Sequence, residues 1–349
     1  MAYYHTFVTL LVPAIVSFVT TYIATRFLMG YFYSAGIVEE DRNKGKPVLL
    51  PSSCGLAATF GTIIGILTYA FGMSFLAPQD IAVLRMLKGL FAVSLSLLLI
   101  SLVGLLDDIN VKSKMVNATG IKSYKQGLKQ WQKPALTVIG AIPLVAINAG
   151  VSIVRVPFLG AVNLGLWYPF LILPLAIIFA SNAVNLLGGF DGLQTGMGLA
   201  AVFGFLVYSL LYGNHIGALI SAVLFASLLA FTPFNFGKVI PGDSFTYMLG
   251  AGLVSIAVLG NAEAFGLIVF MPWIVEFFLH ARRKFKVSDL GIRQKDGTFK
   301  APYGKKIYSL THLFMNIKPM KEREVSLYLT LFELLFVALA FLMKAYGLL

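Results

Sequence analysis

The chain has 349 residues, 58% of them hydrophobic and only 12% charged, with a formal net charge of +12. A soluble domain carries about twice that charged fraction, so a soluble globular enzyme is excluded. The lone cysteine, Cys54, excludes an internal disulfide.

Ten apolar spans are predicted, at about 4–29, 55–76, 84–106, 134–150, 168–187, 196–213, 216–233, 244–260, 263–280 and 326–347. Each is close to the roughly 17–25 residues a helix needs to cross a bilayer. The first has no basic segment before it and is longer than a signal-peptide core, so it is read as a retained helix. The sixth and seventh are separated only at Tyr212–His215. Two β-rich pieces in 151–167 predict a hairpin around Pro157–Gly160, and 287–303 predicts another with Lys295–Thr298 as its turn. No Pro- or Ser-rich linker interrupts the chain. The expected fold is a single all-α polytopic membrane domain over 1–349, with small β-hairpins in its loops.

Orientation follows from the basic residues. Loops 30–54, 107–133, 188–195, 234–243 and 281–325 alternate with the others and hold 3, 6, 0, 1 and 12 Lys/Arg. The positive-inside rule puts these loops in the cytoplasm and both termini outside. Attraction to anionic lipid explains most of these charges. The excess in 281–325 leaves room for an anionic substrate.

The residues able to do chemistry fall on that same side. Asp107 and Asp108 end the third span, where acids oppose the helix dipole. Successive helical residues point about 100° apart, so the two carboxylates do not both face one ligand; one acts on substrate while its neighbour orients a lysine or a metal-bound water. Asn182 and Asn185 share a helical face just before Gly188, Gly189, Asp191 and Gly192. Interhelical hydrogen bonding is one reading of these amides; a magnesium ligand beside phosphate is the other. The glycines are read as letting backbone approach a ligand. Asp243 stands at the N-terminus of the eighth span, where it caps the helix or holds a metal against phosphate. Arg282, Arg283, Lys284 and Lys286 are able to clamp a pyrophosphate, or serve topology alone. Glu276, His280, His312 and Glu333 are read as packed structurally. Carboxylates, amides and cations at one face of a bundle suit metal-assisted chemistry on a phosphorylated substrate.

Together these segments resemble the polyprenyl-phosphate N-acetylhexosamine-1-phosphate transferases, and most of all the archaeal and eukaryotic dolichyl-phosphate N-acetylglucosamine-1-phosphate transferases. The matches run through Asp41–Lys44 with Pro47 and Pro51, Gly104–Asp108, Asn182–Gly192, Asn235, Pro241–Phe245, Lys295–Thr298 and Ser309–His312, in order. The resemblance implies transfer of GlcNAc-1-phosphate from UDP-GlcNAc to dolichyl or polyprenyl phosphate, with release of UMP. It implies Mg²⁺, with Mn²⁺ admitted, held by Asn185 and Asp243. It implies Asp107, Asp108 and Lys133 (or Lys129) at the lipid phosphate. Asn182 and Asp191 are then expected in the nucleotide pocket, with Lys44, Arg282, Arg283 and Lys286 also binding substrate. It admits a homodimer, and it implies membrane lipid rather than nucleic acid as surroundings.

Departures sharpen the expectation. Gly188 stands where enzymes using UDP-MurNAc-pentapeptide carry an aspartate, and their His-rich loop near 310 is missing. Ile240 replaces a phenylalanine that stacks on uracil, Ser52 replaces a glutamate, and Lys286–Ser288 replaces an Arg-His-Arg. Alternatives are the same chemistry with another UDP-HexNAc, a lipid or solute transporter, and a catalytically silent scaffold. With no retention signal and short basic loops, an archaeal plasma membrane is the expected location.

Overall fold

The apolar runs become helices in the order expected. The computed structural model describes residues 2–46, 48–77, 79–109, 128–156 and 160–349, so Pro47, most of loop 109–132 and the tip of the 151–167 hairpin lie outside the described residues. Helix α1 spans Ala2–Ser34, α2 Leu56–Leu76 and α3 Ile81–Ile109. The fourth run is broken into α4 (Gln132–Thr137), a 3-10 turn at Val138–Ala141 and α5 (Ile142–Ala146). Pro143, which has no N–H to give, sits at the start of α5. A π-helical turn at Tyr168–Ile172 leads into α6 (Leu173–Leu186). Then come α7 (Leu193–Leu211), α8 (His215–Phe231), α9 (Asp243–Leu259), α10 (Glu263–Val269), α11 (Met271–Ala281), α12 (Leu310–Ile317) and α13 (Glu322–Ala345).

Among the described residues, six helices are long and apolar enough to cross a bilayer. A seventh crossing is possible if α10 and α11, bent by 55° at Phe270, count as one. Gln132–Ala146, α8 and α9 are apolar but shorter. The protein is an integral membrane protein, mostly helical. Both anticipated hairpins are present, as β3 (Ile153–Val156) with β4 (Gly160–Asn163) and β5 (Ile292–Arg293) with β6 (Phe299–Lys300). A further hairpin pairs β1 (Val38–Asp41) with β2 (Val48–Pro51), in what the sequence presents as an irregular charged loop.

Helix α9 is the axis of the arrangement. It is buried nearly all round, as a helix apolar on every face must be. Helices α2, α3, α6, α7 and α8 surround it. Small residues let the backbones close in, as in other membrane bundles. A Cβ added to Gly250 of α9 would lie 2.5 Å from the Ala180 carbonyl oxygen of α6, and Gly104 of α3 faces the backbone of Asp243 and Ser244. Hydroxyls then join neighbouring helices: Ser101 donates to the Ser244 carbonyl (3.0 Å), Ser181 to the Tyr247 carbonyl (3.1 Å) and Ser17 to the Val223 carbonyl (2.8 Å).

The α6–α9 contact leaves no room for a side chain. Gly250→Val is expected to lower stability by about 3 kcal/mol through overpacking, read as a drop in the unfolding midpoint in detergent. An unchanged midpoint would refute the close contact.

Candidate active site

The site begins with the exposed backbone donors at the start of α9. Gly242 adopts φ +79°, and a side chain there would collide with Asp108. Through that gap the Asp108 carboxylate accepts the N–H groups of Asp243 (3.0 Å) and Ser244 (3.4 Å). Ser53 donates its hydroxyl to the same carboxylate. Asp108 thus caps α9 from a different helix. This places its charge at the positive end of the α9 dipole, where an anion is stabilised.

Asp107 points elsewhere, as helical geometry requires. Its carboxylate lies 2.5 Å from Lys133 Nζ and also accepts the N–H of Leu128. Lys133 reaches Asp243 at 2.9 Å, so one ammonium is shared between two carboxylates from α3 and α9. Lys129 is exposed, which leaves Lys133 as the lysine at the site. The Thr246 hydroxyl donates between Asn185 Oδ1 (3.0 Å) and the Asp243 carbonyl (3.2 Å), linking α6 to α9.

The turn after α6 is held by Lys44. Its ammonium contacts Asp191 (2.8 Å), Glu322 (2.8 Å) and Asp41 (3.4 Å). Burial works against that charge, but Asp191 and Glu322 outweigh it and raise the lysine above its ordinary range. Burial also raises the Asp191 carboxyl, against the pull of Lys44. Glu322, in the first turn of α13, accepts the backbone N–H of Asp191 (3.0 Å) and the amide of Asn43 (2.9 Å). Asn43 donates in addition to the Gly189 carbonyl. Lys44 therefore acts on Asp191 and Glu322 as a clasp, not as a loose cation facing the pocket.

Two cavities meet at this end of the bundle. A polar one of about 290 Å³ is lined by residues that include Asp41, Arg42, Asn185, Asp191, Asp243 and Glu322. An apolar groove of about 1150 Å³ runs from Lys133 and Asn185 past Ile178, Phe179 and Phe270 to Tyr168 and Glu263. Asn185 lines both, and the Lys133–Asp243 pair joins a groove residue to a pocket residue.

Several expectations need correction. Asn182 does not line the polar pocket; its amide donates to Thr137 (3.1 Å) and to the Ile178 carbonyl (2.8 Å), and it borders the groove. An amide in an apolar span is most cheaply satisfied by the neighbouring helix. Arg282 and Arg283 do not reach the pocket, since their guanidinium groups lie over Tyr308 (5.6 and 5.0 Å to the ring centre). Lys286 is exposed and outside the pocket wall. The glycines after α6 make room chiefly for protein. Gly188 and Gly189 admit Asp289 and Leu290, and Gly192 admits Phe236. Glu276 and His280 do pack structurally, 2.9 Å apart, with Glu276 accepting the Leu310 N–H. Sequence reasoning missed Glu322, Asn43, Ser53, Gln194 and Asp289. Glu322 carries one legible signal, an acid in the first turn of a helix.

The chain was compared with known proteins. The profile described as Glycosyl transferase family 4 matches residues 90–261. A protein of Saccharolobus solfataricus, provisionally named a UDP-N-acetylglucosamine–dolichyl-phosphate N-acetylglucosaminephosphotransferase, is 31% identical over 343 residues, covering 96% of this chain and 97% of its own. A protein of Sulfolobus acidocaldarius with the same provisional name is 30% identical over 95% of both chains. The phospho-N-acetylmuramoyl-pentapeptide-transferase of Thermotoga maritima is 32% identical over 66% of this chain and 73% of its own. A likeness that extends over nearly the whole length, with the profile match spanning α3 to α9, means that the chain belongs to glycosyl transferase family 4.

Proposed function

We propose that the protein transfers N-acetylglucosamine-1-phosphate from UDP-GlcNAc to dolichyl or another polyprenyl phosphate, releasing UMP. One observation carries this reading: a polar pocket and an apolar groove meet at Asn185, Asp243 and Lys133. A lipid phosphate has an apolar chain for the groove and a charged head for the junction. A sugar nucleotide fills the polar side. The two near full-length relatives carry names that fit both substrates. A transporter would need polar residues along a path through the bundle, whereas these carboxylates gather at one end.

Ten spans, with Gln132–Ala146, α8, α9 and the bent α10–α11 each crossing once, put the site on the side that holds most of the basic loops. By the positive-inside rule that side is cytoplasmic, with both termini outside. The plasma membrane of an archaeon is the membrane that fits the relatives' sources.

The donor set suits Mg²⁺ or Mn²⁺. Among the described residues no group of three or more His, Cys, Asp or Glu is placed to hold a metal. Asn185 and Asp243 instead offer an amide oxygen and a carboxylate on one pocket wall. Magnesium is commonly bound by one or two carboxylates together with substrate phosphates. When bound it neutralises the diphosphate and polarises the phosphorus under attack. The site itself sets Asp107 and Asp243 against the single Lys133, with Asp108 close by at the start of α9, so two more anionic groups need added positive charge.

The protein's own part is positioning and charge. Lys133 receives the lipid phosphate at the groove mouth. Asp107 accepts its proton. An oxygen of that phosphate forms a bond to the β-phosphorus, and the bond from the β-phosphorus to the bridging oxygen breaks. The electron pair leaves on UMP. Asp108 keeps the start of α9, and with it Asp243, in place.

Purified protein in lipid nanodiscs is expected to transfer labelled GlcNAc-1-phosphate to dolichyl phosphate, and EDTA to abolish transfer. Asp243→Asn should reduce the rate at least about 100-fold, the usual loss of an electrostatic group at a phosphoryl centre. Full Mg²⁺-dependent UMP release by that variant would sink the assignment.

The clasp makes a separate prediction. Lys44→Met leaves the Asp41, Asp191 and Glu322 carboxylates together without their shared cation. Stability should fall by about 2 kcal/mol, and KM for UDP-GlcNAc should rise more than kcat falls. Melting curves and steady-state kinetics that match the wild type would rule the clasp out.

A further inference from the structure

Asp289 has no part in the chemistry above, yet its side chain lines the polar pocket. It is anchored on both sides. Its Oδ2 accepts the N–H of Gly188 (2.9 Å), and its carbonyl accepts the hydroxyl of Thr311 (2.6 Å). The preceding Ser288 carbonyl takes the Nε2 proton of His312 (2.9 Å), because His312 Nδ1 accepts the N–H of Tyr308. Gln194, in the first turn of α7, reaches the same place. A Cβ built on Gly188 would lie 2.6 Å from Gln194 Nε2 and 3.9 Å from Asp289 Oδ2. A carboxylate and a primary amide therefore flank the space over one glycine, on a pocket wall both share.

That pair is built for hydroxyl groups. A carboxylate accepts O–H bonds from two neighbouring hydroxyls, and an amide donates to one oxygen while accepting from another. A carboxylate is not needed merely to satisfy Gly188, since an asparagine oxygen would accept that N–H equally well. Position selects the part of the donor. Gly188 lies two residues past the end of α6 and three past Asn185, and both line the same pocket. In a nucleotide sugar the hexose is bonded directly to the β-phosphate, while a whole ribose separates the base from the α-phosphate. A contact on the same pocket wall, only three residues along the chain from Asn185, therefore meets the hexose. The base has its own apolar wall in Leu50, Val239 and Ile240, where Ile240 N–H donates to the Pro51 carbonyl.

We propose that Asp289 and Gln194 bind the hexose hydroxyls of the nucleotide-sugar donor and set which sugar the enzyme accepts. The proposal rests on the functional reading above and deepens it. It assigns the donor's hexose not to the exposed Arg282, Arg283 and Lys286 but to a half-buried pair beside the glycines at 188 and 189.

The carboxylate is held at an energetic disadvantage. Burial, with the charge of Glu276 adding to it and that of His280 opposing it, pushes the Asp289 carboxyl up to about 6 from 3.8. The sign follows. Below the unfolded value both states are protonated and the contribution is fully present. It is lost as pH rises through about 6. Asp289→Asn should therefore melt higher than wild type at pH 8 and equal to it near pH 4. The opposite order would show that the carboxylate stabilises the fold.

The decisive experiment compares two ligands. Affinities for UDP-GlcNAc and for UMP, each with Mg²⁺, are measured by calorimetry on wild type, Asp289→Asn, Asp289→Ala and Gln194→Ala in detergent. In the alanine variants the preference for UDP-GlcNAc over UMP should fall about tenfold or more, the usual effect of losing a hydrogen bond to a charged or buried group. UMP affinity should stay within about twofold of wild type. Asp289→Asn keeps the Gly188 contact and guards against misfolding, and its preference should also fall. An unchanged preference in all three variants overturns the proposal alone, as does an equal loss for UMP. Wild-type protein that binds neither compound overturns the functional reading and the proposal with it.

Discussion

A helix that starts inside a membrane bundle exposes backbone N–H groups that no bulk water can satisfy. In this protein α9 starts that way, and Asp108 provides the solution by accepting the N–H groups of Asp243 and Ser244 from across the α3–α9 contact. The rest of the site depends on that cap. It needs a glycine at 242, where φ is +79° and any side chain would strike the Asp108 carboxylate. It needs Gly104, because α3 could not otherwise approach the α9 backbone. With α9 fixed, Asp243 and Thr246 face Lys133 and Asn185. A capping interaction thus decides where four polar side chains converge.

That convergence also explains why the site lies between two kinds of solvent. Lys133 lines the apolar groove, but its ammonium is satisfied by Asp107 and Asp243. An unpaired ammonium on the wall of an apolar groove would be costly, and so would two unpaired carboxylates on α3 and α9. Each sign makes the other tolerable. One ammonium between two carboxylates leaves the arrangement with excess negative charge. On the proposed function, an incoming phosphate would need a further cation, and lipid-phosphate binding would be tied to the state of the polar pocket.

Much of this is legible in the sequence, for reasons that particular residues show. The helices are marked by long apolar runs, and a bilayer-length requirement leaves few choices. The divergence of Asp107 and Asp108 follows from helical geometry alone. Asp243 at a helix start is legible as a cap position, although it is Asp108 that does the capping. The contacts that hold the site together are not legible. Lys44 and Glu322 are separated by 278 positions, and nothing local distinguishes either from an ordinary surface charge. Asn182 fails for the opposite reason. It lies one turn before Asn185 on the same helix, but the face that favours it also meets Thr137. The β1–β2 hairpin escapes notice because its strands are four residues long and rich in charge on one side.

The glycines after α6 bring these threads together. In a lone sequence, four glycines beside an aspartate suggest backbone opened to a ligand. In the fold they are occupied by protein: Asp289 and Leu290 against Gly188 and Gly189, Phe236 against Gly192, and Thr330 against Gly196. These neighbours come from three distant parts of the chain, and Glu322 and Asn43 fasten the same turn through its backbone. The turn is therefore a junction where the β1–β2 loop, the segment after α11 and the start of α13 all dock. Its glycines are small because protein must come close, and that close approach brings Asp289 and Gln194 to the wall of the polar pocket. The pocket wall at this turn is thus completed by Gln194 from the start of α7 and by Asp289 from a distant segment. For that reason local motif reading finds the place of the pocket but not all of the residues that line it.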